Sequence, residues 1–241
     1  FSFPNLKTLQ LVGLPKIKHV WSKEIFKFPD LLDLYVARCE NLKSLFPAAA
    51  VATSLTQLKS LNIRNCEVLE EIVQRKDGTD PTTRILFTSL TLLSLDGLPK
   101  LKRFFQGVHN LESSSSKELH EQGGTLFGVN ELSFPSLKEL HLQHLPKIKH
   151  VWSNVNGCES LKSLTHLKSL KITNCGVLEE IVQREDGIDP TSTRLLFPNL
   201  TLLSLDELPK LKWFFQGVCT LESSSSKELH EQGGTLFRLE E

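Results

Sequence analysis

The sequence predicts an α/β solenoid, a stack of similar units in which short parallel strands form one sheet and short helices or loops return on the outer side. Two observations support this prediction. A leucine pattern, L-x-x-L-x-L-x-x-[C/L]-x-x-L, occurs seven times in the 241 residues, and much of the chain is a tandem duplication. Repeats of this kind stack because a single unit cannot cover its own apolar side.

Each unit begins with a segment that alternates apolar and polar residues, which is typical of a short strand with its leucines on one side. The pattern begins at Leu6, Leu31, Leu58, Leu90, Leu137, Leu167 and Leu200. The starts are irregularly spaced, from 25 to 47 residues apart. Strands can stay in register despite this, because longer return segments extend into solvent at a small entropic cost. The best helix candidate among these segments is FPAAAVATSLTQ at 46–57, which has a proline start and small residues.

The duplication divides the chain into blocks. Residues 3–22 match 134–153, and residues 98–127 match 208–237 with three differences. The second copy has lost most of the unit that begins at Leu31. We predict four segments: a first repeat block at 1–111, a serine-rich insert at 112–133, a second repeat block at 134–221 and a serine-rich tail at 222–241.

The composition excludes several classes of partner. Lys plus Arg and Asp plus Glu each total 28, so the chain has no net charge with which to bind nucleic acid or an anionic membrane. No apolar run reaches the roughly 18 residues that span a bilayer. The five cysteines form no CxxC pair, which disfavours a disulfide framework or a zinc ribbon and suits a reducing compartment. We therefore expect neither a nucleic acid nor a membrane partner.

Three stretches are more specific than the leucine pattern alone. They are FPNLKTLQLVGLPKIKHVW at 3–21, CENLKSLFPAAAVATSLTQLKSLNIRNCEVLEEIV at 39–73 and LTLLSLDGLPKLKRFFQG at 90–107. With their alternation of LPK and C-x-x-L units, they resemble the C-terminal repeats of plant intracellular immune receptors of the coiled-coil, nucleotide-binding, leucine-rich-repeat class. The resemblance implies a horseshoe with the parallel sheet on its concave face, a cytoplasmic location, and recognition of pathogen effectors or guarded host proteins.

The resemblance also leaves alternatives open. Arrays of this class help to keep the receptor off, so a structural or autoinhibitory array that docks on other domains of its parent chain is one alternative. A non-functional rearranged fragment is another. No G-x-x-x-x-G-K-[ST] phosphate loop is present, so no nucleotide-binding residue and no cofactor is carried over. No set of nucleophile, base or metal ligands emerges, and we do not expect an enzyme.

The binding prediction rests on the strand residues that point away from the leucine core. In parallel strands, equivalent side chains form columns about 4.8 Å apart, which suits a broad protein surface more than a small-molecule cleft. The candidates mix aromatic, charged and amide side chains that supply anchors and hydrogen bonds, and the alternative is an ordinary solvated face. The candidate contacts are Gln10, Tyr35, Asn62, Arg64, Ser94, Asp96, His141, Gln143, Lys171 and Ser204.

Cysteine and tryptophan are given structural roles. Some cysteines take the slot that leucine fills in other units, so we interpret them as small buried hydrophobes at the turn after a strand. These are Cys39, Cys66 and Cys175. The tryptophans follow LPK segments and are expected to pack in the outer part of the solenoid, with a partner contact as the alternative. These are Trp21, Trp152 and Trp213.

Two further motifs are also interpreted as structural. His19 and His150 end the basic stretch K-x-K-H, which predicts a solvated face more than a phosphate site. The stretch ESSSSKELHEQGG occurs at 112–124 and again at 222–234. Its serines are not accompanied by an oriented base or a metal-ligand set, so we interpret it as a structural insert, with a kinase target as the alternative.

Overall fold

The computed structural model of the chain is a solenoid of short parallel strands. The described residues are 2–21, 28–48, 50–51, 55–74, 85–105, 124–127, 132–153, 164–183 and 197–215. In chain order their strands are β1 (Thr8–Val12), β2 (Asp33–Ala37), β3 (Ser44–Pro47), β4 (Ser60–Arg64), β5 (Glu71–Gln74), β6 (Ile85–Leu86), β7 (Leu92–Asp96), β8 (Arg103–Phe105), β9 (Thr125–Phe127), β10 (Leu132–Ser133), β11 (Glu139–Gln143), β12 (His150–Ser153), β13 (Ser169–Thr173), β14 (Glu180–Gln183), β15 (Leu202–Asp206) and β16 (Trp213–Phe215).

Seven of these strands, one from each predicted unit, form the inner sheet in the order β1-β2-β4-β7-β11-β13-β15. Every pair is parallel, and every pair has the same register. The first residue of each strand is aligned with the first residue of the neighbouring strand. The period-two leucines set this register, because a slip of one residue would move every leucine of a strand to the wrong face. The predicted solenoid with a parallel sheet is confirmed.

The leucines of the inner strands form one continuous core. In β4, Leu61 and Ile63 are fully buried, whereas Arg64 on the opposite side is exposed. At the two ends of the solenoid the strand leucines are only half-buried. The reason is that β1 and β15 each pair with a single neighbouring strand of the inner sheet.

The chain makes the same turns before and after each inner strand. Before the strand, the N–H of the leucine that begins the unit donates to the carbonyl three residues earlier, as from Leu90 to Phe87. After the strand, one residue has a left-handed backbone with φ between 51° and 64°. These residues are Gly13, Arg38, Asn65, Gly97, His144, Asn174 and Glu207. Glycine and asparagine, which adopt this conformation most readily, occupy the turn in four of the seven units.

Among the described residues, the outer side is built mainly from strands, where the sequence predicts short helices or loops. β3, β5 and β8 form one sheet, and β9, β12, β14 and β16 form another. Segments such as EEIVQ at 179–183 carry adjacent β-branched residues that pack well in a sheet, so they extend as strands.

Helical backbone is rare among the described residues. Within the predicted helix at 46–57, Pro47 ends β3, and Ala48, Ala50 and Val51 are helical. A single 3-10 turn spans Leu164–His166. The helix candidate is thus partly right, with Pro47 at the change from strand to helix, where its missing N–H removes no helical hydrogen bond.

One outer strand has no inner counterpart. In the inner sheet β7 pairs directly with β11, but in the outer layer β9 lies between β8 and β12, pairing with β12 and contacting β8. At this point the outer layer therefore has one strand more than the inner sheet, which favours curvature with the inner sheet on the concave side. β9 and β10 lie within the segment at 112–133 that the sequence assigned to the insert; the four-segment division stays a prediction.

Aromatic rings run through the core between the two layers. Phe87, Phe104, Phe127 and Phe134 lie within 5.4–5.7 Å of one another in five centroid-to-centroid contacts. The row continues to Trp152, which stacks on Phe127 at 5.7 Å. Large rings fill the space between layers that are too far apart for leucine alone to bridge.

The structural roles given to cysteine and tryptophan are confirmed where those residues are described. Cys39, Cys66 and Cys175 are buried at the turn after an inner strand. Trp21 and Trp152 are buried in the aromatic row, and Trp213 is half-buried in β16. The stretch ESSSSKELHEQGG lies outside the described residues, apart from Gly124 in its first copy.

Candidate protein-binding face

The predicted contact residues lie on one side of the inner sheet. We call this side the inner face; it comprises the first, third and fifth residues of the seven inner strands. The third residues form one column in register, Gln10, Tyr35, Asn62, Ser94, His141, Lys171 and Ser204. The fifth residues form a second column, Val12, Ala37, Arg64, Asp96, Gln143, Thr173 and Asp206. The structure therefore brings all ten predicted residues together on this face.

The predicted residues differ in how far they are accessible. Gln10, Arg64, Gln143 and Lys171 are exposed, and Tyr35, Asn62, Asp96, His141 and Ser204 are half-buried. Ser94 is only 6% exposed, because it lies between longer neighbours in the middle of the sheet. Ser94 thus offers little surface to a partner, and the accessible chemistry is concentrated on the strands around it.

His141 lies in a partly basic environment at the centre of the face. Burial lowers its pKa, Lys171 and Arg64 lower it further, and Glu139 partly opposes them. Its Nε2 atom is 3.7 Å from Glu139 Oε2 and has no hydrogen-bond partner among the described residues. A buried ring nitrogen without a partner is unusual, since such groups are nearly always hydrogen-bonded.

Charge is left unpaired on this face. Arg64 Nε donates to Asn62 Oδ1 at 3.1 Å, but neither Arg64 nor Lys171 forms an ion pair with any described residue. The outer layer is different, because its charges pair along the ladder. Lys102 Nζ lies 2.6 Å from Glu70 Oε2, and Lys212 Nζ lies 3.2 Å from Glu179 Oε2.

These outer pairs also change the pKa of their carboxyl groups. The hydrogen bond from Lys102 lowers the pKa of Glu70, and that from Lys212 lowers the pKa of Glu179. His150, which the sequence placed on a solvated face, is half-buried in β12, and burial lowers its pKa. Only His19 of the two K-x-K-H histidines is exposed, because His150 lies between two paired outer strands.

A groove of about 570 Å³ borders the inner face at the carboxyl ends of its strands. It is lined by the left-handed turn residues and the residues that follow them, Asn65, Glu67, Gly97, Pro99, His144, Pro146, Asn174 and Gly176. We call it the edge groove. Parallel strands bring their carboxyl-terminal turns to one edge, so equivalent turn residues of four units meet there.

The edge groove is continuous with the fifth column of the inner face. His144 Nδ1 lies 2.9 Å from Asp96 Oδ1, which ties a groove residue to a predicted contact residue of the neighbouring unit. The sequence prediction missed Asn65, His144 and Asn174. A polar or glycine residue directly after the fifth strand position was the available signal, since that position takes a left-handed turn.

Gly97 is required by its surroundings as well as by its backbone. Its φ is +63°, and a Cβ placed on it would collide with Asn65 Oδ1 and lie 3.3 Å from Asn65 Cγ. The Asn65 amide therefore rests on Gly97 and forms part of the groove wall. Gly13 has a similar φ of +64° but open space around it.

The sequence of the chain matches the profile of a known protein family. The sequence profile of plant disease resistance protein RPS2-like leucine-rich repeats matches residues 1–67 and 103–182, which is more than half of the chain. The chain belongs to this family. Comparison with curated proteins and with solved structures gave no match.

Three properties of these RPS2-like repeats concern metal binding, membrane insertion and thiol reactivity. In the described parts of the chain, no three His, Cys, Asp or Glu side chains lie close enough together to hold a metal ion. No helix within the described ranges has both the length and the hydropathy needed to cross a membrane. Burial raises the pKa of the Cys66 thiol to about 11, which disfavours the reactive thiolate.

Proposed function

We propose that the chain is the protein-recognition module of an intracellular plant immune receptor and that it binds a protein or peptide on the inner face. The observation that carries the proposal is the aligned set of charged, amide and aromatic side chains across the seven-stranded sheet, in which Arg64 and Lys171 form no ion pair with a described residue. Family membership supports a role in disease resistance. A pathogen effector or a guarded host protein would be the ligand, met in the cytoplasm.

The size of the surface suits a protein better than a small molecule. The seven strands give six spacings of about 4.8 Å, so the inner face is about 29 Å across. Five residues at about 3.3 Å each make it about 16 Å deep, or about 460 Å² as a flat area. A stable interface buries about 800 Å² on each partner, so the partner would cover the edge groove as well.

The chemistry of the face favours a partner with acceptors at its centre. Arg64 and Lys171 present donors without ion-pair partners in the described residues. Tyr35 adds an aromatic anchor one strand away from Asn62. Carboxylates or carbonyl groups of a bound protein would satisfy these donors, and an arginine and a tyrosine are typical of interface hot spots.

The experiment compares partner capture by two matched charge-reversal variants. The inner-face variant combines Tyr35→Ala, Arg64→Glu and Lys171→Glu, and the control combines Lys18→Glu and Lys43→Glu, which are exposed outside the inner face. Quantitative mass spectrometry of proteins captured from infected and healthy leaf extract should show partners that the inner-face variant loses and the control retains. If both variants capture the same proteins as the unchanged chain, the inner face is not the binding surface.

A direct binding measurement completes the test. A partner identified in this way is purified and titrated against the unchanged chain by calorimetry. We expect the inner-face variant to bind at least about 100-fold more weakly, since hot-spot side chains each contribute about 2 kcal/mol or more. If the only lost partner is another region of the parent chain, the array docks internally and has no independent ligand on this face.

A further inference from the structure

The edge groove crosses four neighbouring units of the solenoid. Its turn residues Asn65, Gly97, His144 and Asn174 follow β4, β7, β11 and β13, which are successive strands of the inner sheet. Three strand spacings of about 4.8 Å therefore separate Asn65 from Asn174, so the two lie about 14 Å apart along the edge. An extended chain rises about 3.3 Å per residue, so about four of its residues would reach from one asparagine to the other.

The asparagine at each end of the groove has an unused side-chain amide. Asn65 and Asn174 are exposed, and neither amide is hydrogen-bonded within the part of the chain that the structure describes. Elsewhere such amides are satisfied by backbone, as where Asn199 Nδ2 donates to the Thr165 carbonyl at 2.6 Å. An asparagine amide offers both donors and an acceptor, which complement the C=O and N–H groups of a peptide backbone.

The middle of the groove combines an acceptor with apolar walls. His144 Nδ1 lies 2.9 Å from Asp96 Oδ1. Because an ionised carboxylate only accepts, Nδ1 donates to it, and Nε2 of the neutral ring is left as an acceptor. The exposed rings of Pro99 and Pro146 line the same stretch, and Gly97 has no side chain to fill it. This stretch can therefore accommodate a backbone together with an apolar side chain.

The two ends of the groove differ in charge. Residues 58–73 match 167–182 in the duplication, which makes Asn65 equivalent to Asn174 and Glu67 equivalent to Gly176. Glu67 is exposed and forms no ion pair with a described residue. No lysine or arginine occurs among the described residues that line the groove. A carboxylate is thus available at the Asn65 end only.

We propose that the edge groove binds an extended segment of about four residues of a partner protein, with a lysine or arginine at the Glu67 end. The backbone of the segment would pair with the amides of Asn65 and Asn174. The inference rests on the proposed function, that the chain binds a protein, and adds the conformation and charge of the segment that it recognises. The groove volume of about 570 Å³ is within the range of about 300–1,000 Å³ that is typical of ligand pockets.

Selection from a random heptapeptide library displayed on phage, with the full chain as bait, tests the proposal. Enriched peptides are synthesised and titrated by fluorescence anisotropy against the unchanged chain and a groove variant, Asn65→Gly with Asn174→Gly. Glycine accepts the left-handed turn at both positions, so the backbone should be kept. We expect the groove variant to bind at least about tenfold more weakly, because two amides lose their hydrogen bonds to the peptide. Equal binding by the two chains overturns the proposal, as does a selection that enriches no peptide.

Two further variants test the difference between the ends. Selection on Glu67→Gln should enrich lysine and arginine less than selection on the unchanged chain, because the carboxylate is lost. Gly176→Glu supplies the matching carboxylate at the other end, where nothing lies within 4 Å of a Cβ built on Gly176. It should add a preference for a second basic residue, about four positions from the first. An unchanged preference in either selection overturns the assigned charge of the segment.

The same peptides separate this inference from the proposed function. The inner-face variant, with Tyr35→Ala, Arg64→Glu and Lys171→Glu, keeps both groove amides and should still bind the enriched peptides. If the groove variant loses the peptides while the inner-face variant captures the same proteins as the unchanged chain, the inner-face proposal fails and the groove inference stands. If the inner-face variant loses partners while no peptide is enriched, the groove inference alone fails.

Discussion

Replacement of Gly97 by alanine is expected to destabilise the solenoid by two separate effects. Gly97 has a left-handed backbone, which costs about 1–2 kcal/mol for a residue with a Cβ. A stiffer unfolded chain returns about 0.4–1 kcal/mol, so the net backbone effect is about 1 kcal/mol. The new Cβ would also collide with Asn65 Oδ1. Displacing that amide from the groove wall adds about 1–2 kcal/mol.

Gly13 isolates the first effect. It has nearly the same φ, but nothing lies within 4 Å of a Cβ built on it. Gly13→Ala should therefore destabilise by about 1 kcal/mol at most, since its terminal unit has only half-buried leucines. Gly97→Ala should destabilise by about 2–3 kcal/mol, which corresponds to about 4–12 °C in Tm for a chain of this length.

A double-mutant cycle with Asn65→Gly separates the collision from the backbone effect. Glycine accepts the left-handed turn at residue 65, so the single change should be nearly neutral. In its presence, Gly97→Ala should lose only about 1 kcal/mol, giving a coupling of about 1–2 kcal/mol between the two sites. Urea unfolding followed by circular dichroism measures all four chains. Equal effects of Gly97→Ala with and without the Asn65 amide would refute the reasoning.

Three further predictions concern pH, packing and thiol reactivity. The pKa values of His141 and His150 are lowered by burial. The stability that depends on their neutral form is therefore fully present above the ordinary pKa of 6.5 and is lost as the pH falls toward the pKa values of the folded state. In urea titrations, a His141→Gln, His150→Gln chain should lose less stability than the unchanged chain between about pH 7 and pH 5. Phe104→Ala should lower the free energy of unfolding by about 3–5 kcal/mol, because the ring is fully buried among three others. Glu70→Gln should lower it by less than about 1 kcal/mol, because the ion pair with Lys102 is exposed. Equal Tm shifts for the two variants would contradict this prediction. The chain with Cys158→Ser and Cys219→Ser keeps only the buried Cys39, Cys66 and Cys175. These thiols should react with a thiol reagent only after urea is added. Fast labelling of the native chain would contradict their burial.

The columns of the inner face could be predicted from sequence because two independent regularities agree. The leucines fix which side of each strand is buried, and the unit starts fix which residues are level. Tyr35, Asn62 and Arg64 were placed correctly on this basis. Accessibility could not be predicted in the same way, since the near-complete burial of Ser94 depends on the size of neighbouring side chains from two other strands.

The edge groove was missed for a related reason. Its residues follow the strands by one or more positions, and the leucine pattern treats those positions as variable. Only two of the left-handed turns carry glycine, whereas Arg38 and Glu207 take the same backbone although their side chains do not favour it. At Arg38, a hydrogen bond to the next strand holds the turn, from the Arg38 N–H to the Arg64 carbonyl at 3.0 Å.

The sequence by itself determined the number of units, the register of the inner sheet and the buried side of each strand, because these follow from apolar residues at fixed spacing. The tertiary structure alone decided that the described part of the outer layer consists mainly of strands and that β9 enters it without an inner partner. Those outcomes depend on packing between the layers. A segment such as Thr125–Phe127 has no repeat pattern of its own, and it becomes a strand because β12 offers unpaired backbone groups beside it.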